Sequence, residues 1–143
     1  EAIVRADIPV MGHIGLTPQS YHRMGGNKVQ GRTEGAQSGS RDRISEDARA
    51  VEEAGVCAFV IEAVPAALAL EITTAAGIPT IGIGAGVNCD GQVLVLHDLL
   101  GLSERSFTFA KAYSNLRLLS INAVAEYVSD VQHRRFPDAS NSF

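Results

Sequence analysis

Four short runs of apolar residues recur along the chain, and the apolar character within each run is nearly continuous rather than alternating. They are rich in β-branched residues and cover residues 8–16, 56–62, 80–85 and 92–97. Strands with this composition are typical of parallel sheets whose two faces are both covered by helices. The pattern therefore predicts an α/β fold built on four strands.

Helical segments separate most of these runs. Residues 41–54 carry apolar side chains at three- and four-residue steps and are followed by Gly55, a common residue just past a helix end. Pro65 is suited to the first turn of a second helix at residues 66–76. Residues 105–134 show a longer helical periodicity, which predicts one long helix or two stacked ones. Repeated strand–helix units permit a doubly wound sheet or a (β/α)₈ barrel, of which four units form half.

Charge and hydropathy exclude two classes of partner. Lys and Arg number 12 against 16 Asp and Glu, and the basic residues are scattered apart from a short cluster at residues 133–135. This distribution predicts no nucleic-acid surface. Each apolar run is far shorter than the roughly 20 residues needed to cross a bilayer, so we expect no membrane partner.

The two cysteines and the start of the chain bear on its origin. Cys57 and Cys89 are the only cysteines, and neither has a Cys or His at metal-finger spacing, so the sequence suggests neither a zinc site nor a disulfide framework. The lack of a disulfide framework favours a reducing compartment. We expect Cys57 to be a buried small residue in its strand and Cys89 to be an exposed loop thiol. The chain begins without Met and without the pattern of a leader, as if taken from a longer protein.

Reactive side chains of parallel α/β folds lie at the carboxyl ends of strands. The predicted strands end on His13, on Glu62, on the glycine run at residues 82–86, and on His97 with Asp98. Glu62 ends an apolar run, and a carboxylate in such a poorly solvated mouth suits a general base. The alternatives are a Glu that caps the following helix or one that pairs with Lys or Arg.

His13 lies in a run with Gly12 and Gly15, which leave room for a ligand or another backbone to approach. The alternative is a hydrogen-bonded histidine of the core. No His-x-x-x-His occurs, and no metal ligands are assigned within the chain.

Two glycine-bearing loops have competing interpretations. The glycines at residues 82–86 lack the final spacing of a dinucleotide fingerprint, so positive-φ turns are favoured over an anion-binding backbone. Residues 25–32 form a polar loop before a helix. This loop is either an active-site lid, in which Lys28 and Arg32 meet an anion, or ordinary charged surface.

Five ordered segments resemble the motifs of one enzyme family. They are Pro-Val-Met-Gly-His-Ile-Gly-Leu-Thr-Pro-Gln-Ser at 9–20, Gly-Gly-Asn-Lys-Val-Gln-Gly-Arg at 25–32, Val-Ile-Glu-Ala-Val-Pro at 60–65, Ile-Pro-Thr-Ile-Gly-Ile-Gly-Ala-Gly at 78–86 and Asp-Gly-Gln-Val-Leu-Val-Leu-His-Asp at 90–98. Together they resemble the ketopantoate hydroxymethyltransferase family over nearly the whole chain. The resemblance is more specific than any likeness to other barrels of the phosphoenolpyruvate/pyruvate group.

The resemblance implies the C-terminal half of a (β/α)₈ TIM barrel, strands five to eight with flanking helices, over residues 1–137, followed by a polar tail at 138–143. It implies transfer of a hydroxymethyl group from 5,10-methylenetetrahydrofolate to 3-methyl-2-oxobutanoate, giving 2-dehydropantoate for pantothenate and coenzyme A synthesis. Mg²⁺ chelates the keto acid in this family. Glu62 matches the family's catalytic proton acceptor, and His13 matches a residue that lines the keto-acid site.

The resemblance also has departures. The family's metal-binding residues precede the segment where this chain begins, so the Mg²⁺ ligands are expected in a missing N-terminal half. Asn27 replaces a usual aromatic residue, and residues 35–43 resemble a longer Gly/Ser-rich insertion before the helix. The complete enzyme is expected to be a homo-oligomer located in the cytoplasm, or in mitochondria if the source is a eukaryote.

A half-barrel exposes unpaired strand edges and lacks the opposing half of its core. We therefore expect the native protein to be longer, or this chain to be a partial or degenerate copy. The alternative function is a non-catalytic half-barrel fragment that acts only in assembly.

Overall fold

The computed structural model describes residues 1–35, 39–105 and 107–143. Its secondary structure is mixed α/β and falls into two compact units, Glu1–Val93 and Leu94–Phe143. The elements are α1 (Ala2–Arg5), β1 (Met11–Gly15), α2 (Arg41–Glu53), β2 (Ala58–Glu62), α3 (Ala66–Ala75), β3 (Thr80–Ile83), β4 (Gly91–Gln92), α4 (Leu96–Leu99) and α5 (Leu116–Gln132). Short 3₁₀ turns lie at Pro18–Ser20 and Ala139–Asn141.

The first unit contains a four-stranded parallel sheet in the order β1-β2-β3-β4. The predicted α/β class with a parallel sheet is confirmed. Gly15 pairs with Glu62, and Glu62 pairs with Ile83. Three strands therefore reach the same edge of the sheet in register.

Both predicted helices flanking β2 are present. Ser40 caps the start of α2, because its side chain accepts a hydrogen bond from the Arg43 amide at 3.3 Å. Gly55 lies just past the end of this helix and has φ 87°. Pro65 precedes α3 directly. Each helix turns its apolar residues toward the sheet, and the buried ones are Ile44 and Ala48 of α2 and Leu68, Ala69 and Ile72 of α3.

The core of the first unit lies between the sheet and these two helices. Phe59 and Ile61 of β2 are 0% exposed, as is Leu68 of α3. Burying an apolar side chain of this size contributes about 1.5–3 kcal/mol. The central strand β2 is therefore the best anchored element near Glu62.

The predicted fourth strand at residues 92–97 is wrong over most of its length. The amide of Val93 donates to the carbonyl of Gly82 at 3.0 Å, but β3 ends at Ile83 and the next residue, Gly84, has φ 63°, which is not a strand conformation. A strand needs a paired neighbour, so strand pairing stops there. His97 and Asp98 consequently lie on the short helix α4 of the second unit rather than at a strand end.

The long helix predicted for residues 105–134 is shorter in the structure. The Asn115 side chain accepts from the Leu118 amide at 3.1 Å, so α5 begins at Leu116. The apolar Phe109 and Tyr113 precede this cap and lie outside the helix, although their spacing is helical. The described part of this range, residue 105 and residues 107–134, contains one helix where the pattern allowed one or two.

The predictions for the two cysteines are reversed. Cys57 is exposed, and its thiol lies 3.3 Å from the Val10 carbonyl, to which it donates. Cys89 is buried at 9% exposure. A Cβ atom on Gly82 would lie 3.0 Å from the Cys89 sulfur, so this loop cysteine folds back over β3.

Candidate active site

The carboxyl ends of β1 and β2 bring two predicted site residues together. His13 pairs with Val60, two residues before Glu62, and residues two apart along a strand point to the same face. The His13 Nε2 atom lies 3.0 Å from the Glu62 Oε2 atom. The structure thus joins His13 and Glu62 in one pair.

This pair is partly buried and open to solvent. The His13 side chain is 31% exposed and that of Glu62 is 20% exposed. When the Glu62 carboxylate is ionised it can only accept hydrogen bonds, and in that form the contact requires a proton on the His13 Nε2 atom. The pair can orient one oxygen of Glu62 and leave the other for a ligand.

The contacts of Glu62 and His13 differ from those of a helix cap, a Lys or Arg ion pair and a core histidine. Among the described residues, no side-chain hydrogen bond caps the start of α3, so Glu62 does not act as its cap. The ion-pair partner of Glu62 is His13 rather than a Lys or Arg. His13 is hydrogen bonded, but it lies at a partly open surface and not in the core.

Besides the strand pairing, three hydrogen bonds connect the backbone of Glu62 and Ala63 to three other segments of the chain. The Leu16 amide donates to the Glu62 carbonyl at 2.9 Å, and the Ala63 amide donates to the Ile83 carbonyl at 2.9 Å. The Gln30 amide donates to the Ala63 carbonyl at 2.8 Å. Ala63 has φ 52°, a left-handed conformation that is uncommon for a residue other than glycine. Such backbones cluster at functional sites.

The loop proposed as a lid reaches this site through a residue that the sequence did not single out. Gln30 is 6% exposed, while Lys28, Arg32 and Asn27 are exposed. A buried glutamine inside a polar loop leaves no periodic signal, so only its position between Lys28 and Arg32 hinted at it. The anion-binding role of those two side chains remains a prediction.

The proposed insertion at residues 35–43 lies partly outside the described residues, because 36–38 fall in a gap. Its described ends are well connected. The Gly31 amide donates to the Gly39 carbonyl at 2.7 Å, and the Arg41 amide donates to the Thr33 carbonyl at 2.7 Å. These bonds hold the start of α2 beside the loop.

The glycines after β3 serve turns. Gly84 and Gly86 have φ 63° and 81°, as the preferred interpretation of this run expects. Asp90, at the end of the same loop, accepts from the backbone amide of Thr80 at 2.8 Å and from its hydroxyl at 3.0 Å. These two hydrogen bonds, the backbone one first, lower the pKa of Asp90.

The described residues offer no ready ligand set for a resident metal. Within residues 1–35, 39–105 and 107–143, no group of three or more His, Cys, Asp or Glu side chains is placed to hold a metal ion. His13 and Glu62 make a pair only. In the same described ranges, no helix has the length and apolarity to span a membrane.

Comparisons with known proteins agree on one family. The family model for ketopantoate hydroxymethyltransferase matches residues 1–139. A 3-methyl-2-oxobutanoate hydroxymethyltransferase of Geobacter sulfurreducens is 58% identical over 143 residues, covering 99% of this chain and 52% of the relative. A protein of the same name from Geotalea daltonii is 54% identical over 144 residues, covering 100% of this chain and 52% of the relative. The chain spans about half the length of the curated relatives it matches.

Proposed function

Because the chain belongs to the ketopantoate hydroxymethyltransferase family, we propose that it supplies the proton-transfer half of that enzyme's active site. The complete reaction takes a hydroxymethyl group from 5,10-methylenetetrahydrofolate to 3-methyl-2-oxobutanoate and gives 2-dehydropantoate, in pantothenate synthesis. The observation that carries the proposal is the pair of His13 and Glu62, 3.0 Å apart at adjacent strand ends.

Glu62 is the proton acceptor. Its free carboxylate oxygen takes the proton from C3 of the keto acid, and the electrons of the C–H bond become the enolate. The enolate carbon then bonds to the methylene carbon of the folate and water supplies the hydroxyl oxygen. Both C–N bonds of the methylene bridge break, and the proton taken from C3 and one proton from water end on the two nitrogens of the departing tetrahydrofolate. His13 holds the second carboxylate oxygen through its Nε2–H and lines the keto-acid site.

Mg²⁺, when bound, neutralises charge on the keto acid and its enolate. The described residues of this chain contain no cluster suited to hold it. We therefore assign the Mg²⁺ ligands to the part of the enzyme that this chain does not cover. What the chain's own residues contribute is the base, its orientation and the pocket wall.

The finer fold assignment is also a proposal. We assign β1 to β4 to strands five to eight of a (β/α)₈ barrel, because four parallel strands form a single sheet and the chain covers about half of its relatives. The complete enzyme would be a homo-oligomer of the cytoplasm, or of mitochondria in a eukaryote. The polar tail at residues 138–143 would lie outside the barrel.

An assembly fragment without catalysis is the second candidate, and one observation favours it. No residue of the 17-residue helix α5 is buried, and seven of its large apolar side chains are exposed. They are Leu118, Leu119, Ile121, Val124, Tyr127, Val128 and Val131. A helix of this kind suits association with another surface.

A chimera separates the two candidates. The matched half of the Geobacter sulfurreducens relative is replaced by this chain, and deuterium uptake at C3 of 3-methyl-2-oxobutanoate is followed by proton NMR in D₂O with Mg²⁺. We expect uptake and, with the folate added, formation of 2-dehydropantoate. A chimera that folds and oligomerises like the relative but exchanges no C3 proton would favour the assembly role.

A further inference from the structure

Two peptides flank the left-handed Ala63, and they are held by different parts of the chain. The peptide between Glu62 and Ala63 is bonded on both sides from the neighbouring strand ends, because the Leu16 amide donates to the Glu62 carbonyl and the Ala63 amide donates to the Ile83 carbonyl. The bond from the Gln30 amide to the Ala63 carbonyl instead comes from the loop between β1 and α2. This bond is the direct link between that loop and the left-handed residue beside Glu62.

Gln30 is built into the loop by its side chain. Its Nε2 atom donates to the Lys28 carbonyl at 2.8 Å, although Gln30 is only 6% exposed. Its Oε1 atom lies so close to Gly39 that a Cβ atom there would overlap it. The amide therefore lies between the two arms of the loop, at Lys28 and at Gly39.

The residue after Gln30 lies close to the helix that follows the site. Gly31 has φ 79°, and a Cβ atom on it would lie 2.5 Å from Leu68 Cδ2. Leu68 is fully buried in α3, which starts just after the Glu62 turn. The loop backbone at Gly31 thus rests directly on the helix that follows the site.

We propose that Gln30 is a positioning residue for Glu62, which fastens the loop to the left-handed Ala63 and so holds the Glu62 carboxylate against His13. An alanine prefers right-handed or extended backbone, so its conformation needs partners on both sides. The Gln30 bond holds the peptide that follows Ala63, so its loss lets Ala63 relax from the left-handed conformation and pulls on the Glu62 peptide, which shifts the carboxylate relative to His13. The kinetic consequence of this role rests on the proposed function, whereas the geometric one does not.

The geometric consequence is measured by the ¹⁵N chemical shifts of the His13 ring in the 143-residue chain. The four histidines are assigned by single substitutions, and Glu62→Gln gives the shifts of a His13 without its carboxylate. We expect Gln30→Ala to move the His13 shifts at least half of the way to those of Glu62→Gln. Gln19→Ala, an exposed residue of the preceding 3₁₀ turn, is the matched control and should leave them unchanged.

A merely structural role for Gln30 makes a different prediction. The variant would then melt at a lower temperature but show wild-type His13 shifts well below its melting point, and this result would overturn the proposal. If Gln30→Ala does not fold, Gln30→Met takes its place, because methionine keeps the length of the side chain but has neither the donor to Lys28 nor a charge. Wild-type His13 shifts in that variant overturn the proposal equally.

A rescue tests whether the effect passes through Ala63. Glycine adopts positive φ without strain, so adding Ala63→Gly to Gln30→Ala should return the His13 shifts toward the wild type. Failure of the rescue would contradict the route through Ala63. In the chimera, Gln30→Ala should lower kcat for C3 exchange about 10- to 100-fold with little change in KM, because misplacement of a base acts on the chemical step. A wild-type chimera without exchange would defeat the proposed function but leave the His13 result intact.

Discussion

His13 Nε2 and Glu62 Oε2 lie 3.0 Å apart across the parallel ladder of β1 and β2, and 49 residues of sequence separate them. The register places both side chains on one face at the carboxyl edge of the sheet. Both side chains are partly exposed and lie within reach of a small molecule, whereas Phe59 and Ile61 of β2 are buried.

Replacing Glu62 by glutamine in the chimera should remove the base. We expect C3 deuterium exchange to fall by about 10²- to 10⁴-fold, the usual contribution of a positioned proton acceptor. Calorimetry should show that the variant still binds Mg²⁺ together with the keto acid. Glu53→Gln, at the exposed end of α2, is the control. Near-wild-type exchange in the Glu62 variant would defeat the assignment.

Replacing His13 by alanine should affect binding and orientation together. We expect a higher KM for 3-methyl-2-oxobutanoate and a kcat lower by about 10-fold, because Glu62 loses the partner that fixes one oxygen. His13→Gln retains an N–H donor and should lie between the alanine variant and the wild type. Steady-state kinetics of the chimera measure both quantities. Equal KM and kcat in all three proteins would speak against any role for His13.

A larger side chain at Ala63 should strain the turn beside Glu62. Ala63 is 5% exposed and has φ 52°, where a β-branched residue is a rare outlier. Ala63→Val should lower the free energy of unfolding by about 1–3 kcal/mol in urea denaturation. Ala75→Val, at the exposed end of α3, should cost less than about 1 kcal/mol. Equal losses would mean that the left-handed conformation is not maintained in solution.

The Asp90 contact with Thr80 should make stability depend on acid pH. Hydrogen bonds from Thr80 lower the Asp90 pKa in the folded chain, so the folded state binds its proton less readily than the unfolded state. This contribution is present above the ordinary pKa of about 4 and is lost as the pH falls through the lower folded value. The stability difference between wild type and Asp90→Asn should therefore shrink below about pH 4. Urea unfolding curves between pH 6 and pH 2.5 would measure it, and a constant difference would contradict it.

Helix α5 should be less protected than α2. Its 17 residues include no buried side chain, whereas α2 buries Ile44 and Ala48. Helices in proteins are stabilised mainly by packing of an apolar face. Hydrogen exchange of the chain, followed by mass spectrometry, should show faster exchange at residues 120–132 than at 45–53. Similar rates would indicate that α5 is covered in solution.

Several elements follow from local sequence because their causes are local. The N-cap at Ser40, the glycine after α2 and Pro65 before α3 mark helix ends by backbone chemistry within a few residues. The buried run ending in Glu62 specified β2 for the same reason. The predicted fourth strand was wrong because its apolar run says nothing about whether a partner strand continues beside it. The exposures of Cys57 and Cys89 likewise depend on which other segments of the chain pack against them, and a local pattern does not contain this information.

The sequence by itself determined the parallel α/β class, the two helices around β2, the family resemblance and the two separate candidates His13 and Glu62. Tertiary structure alone decided that these two side chains touch, that Ala63 is left-handed, and that Gln30 reaches the turn beside Glu62. Strand propensity and helix caps are set by neighbours in sequence. Register and loop docking depend on contacts between segments tens of residues apart, which no local pattern encodes.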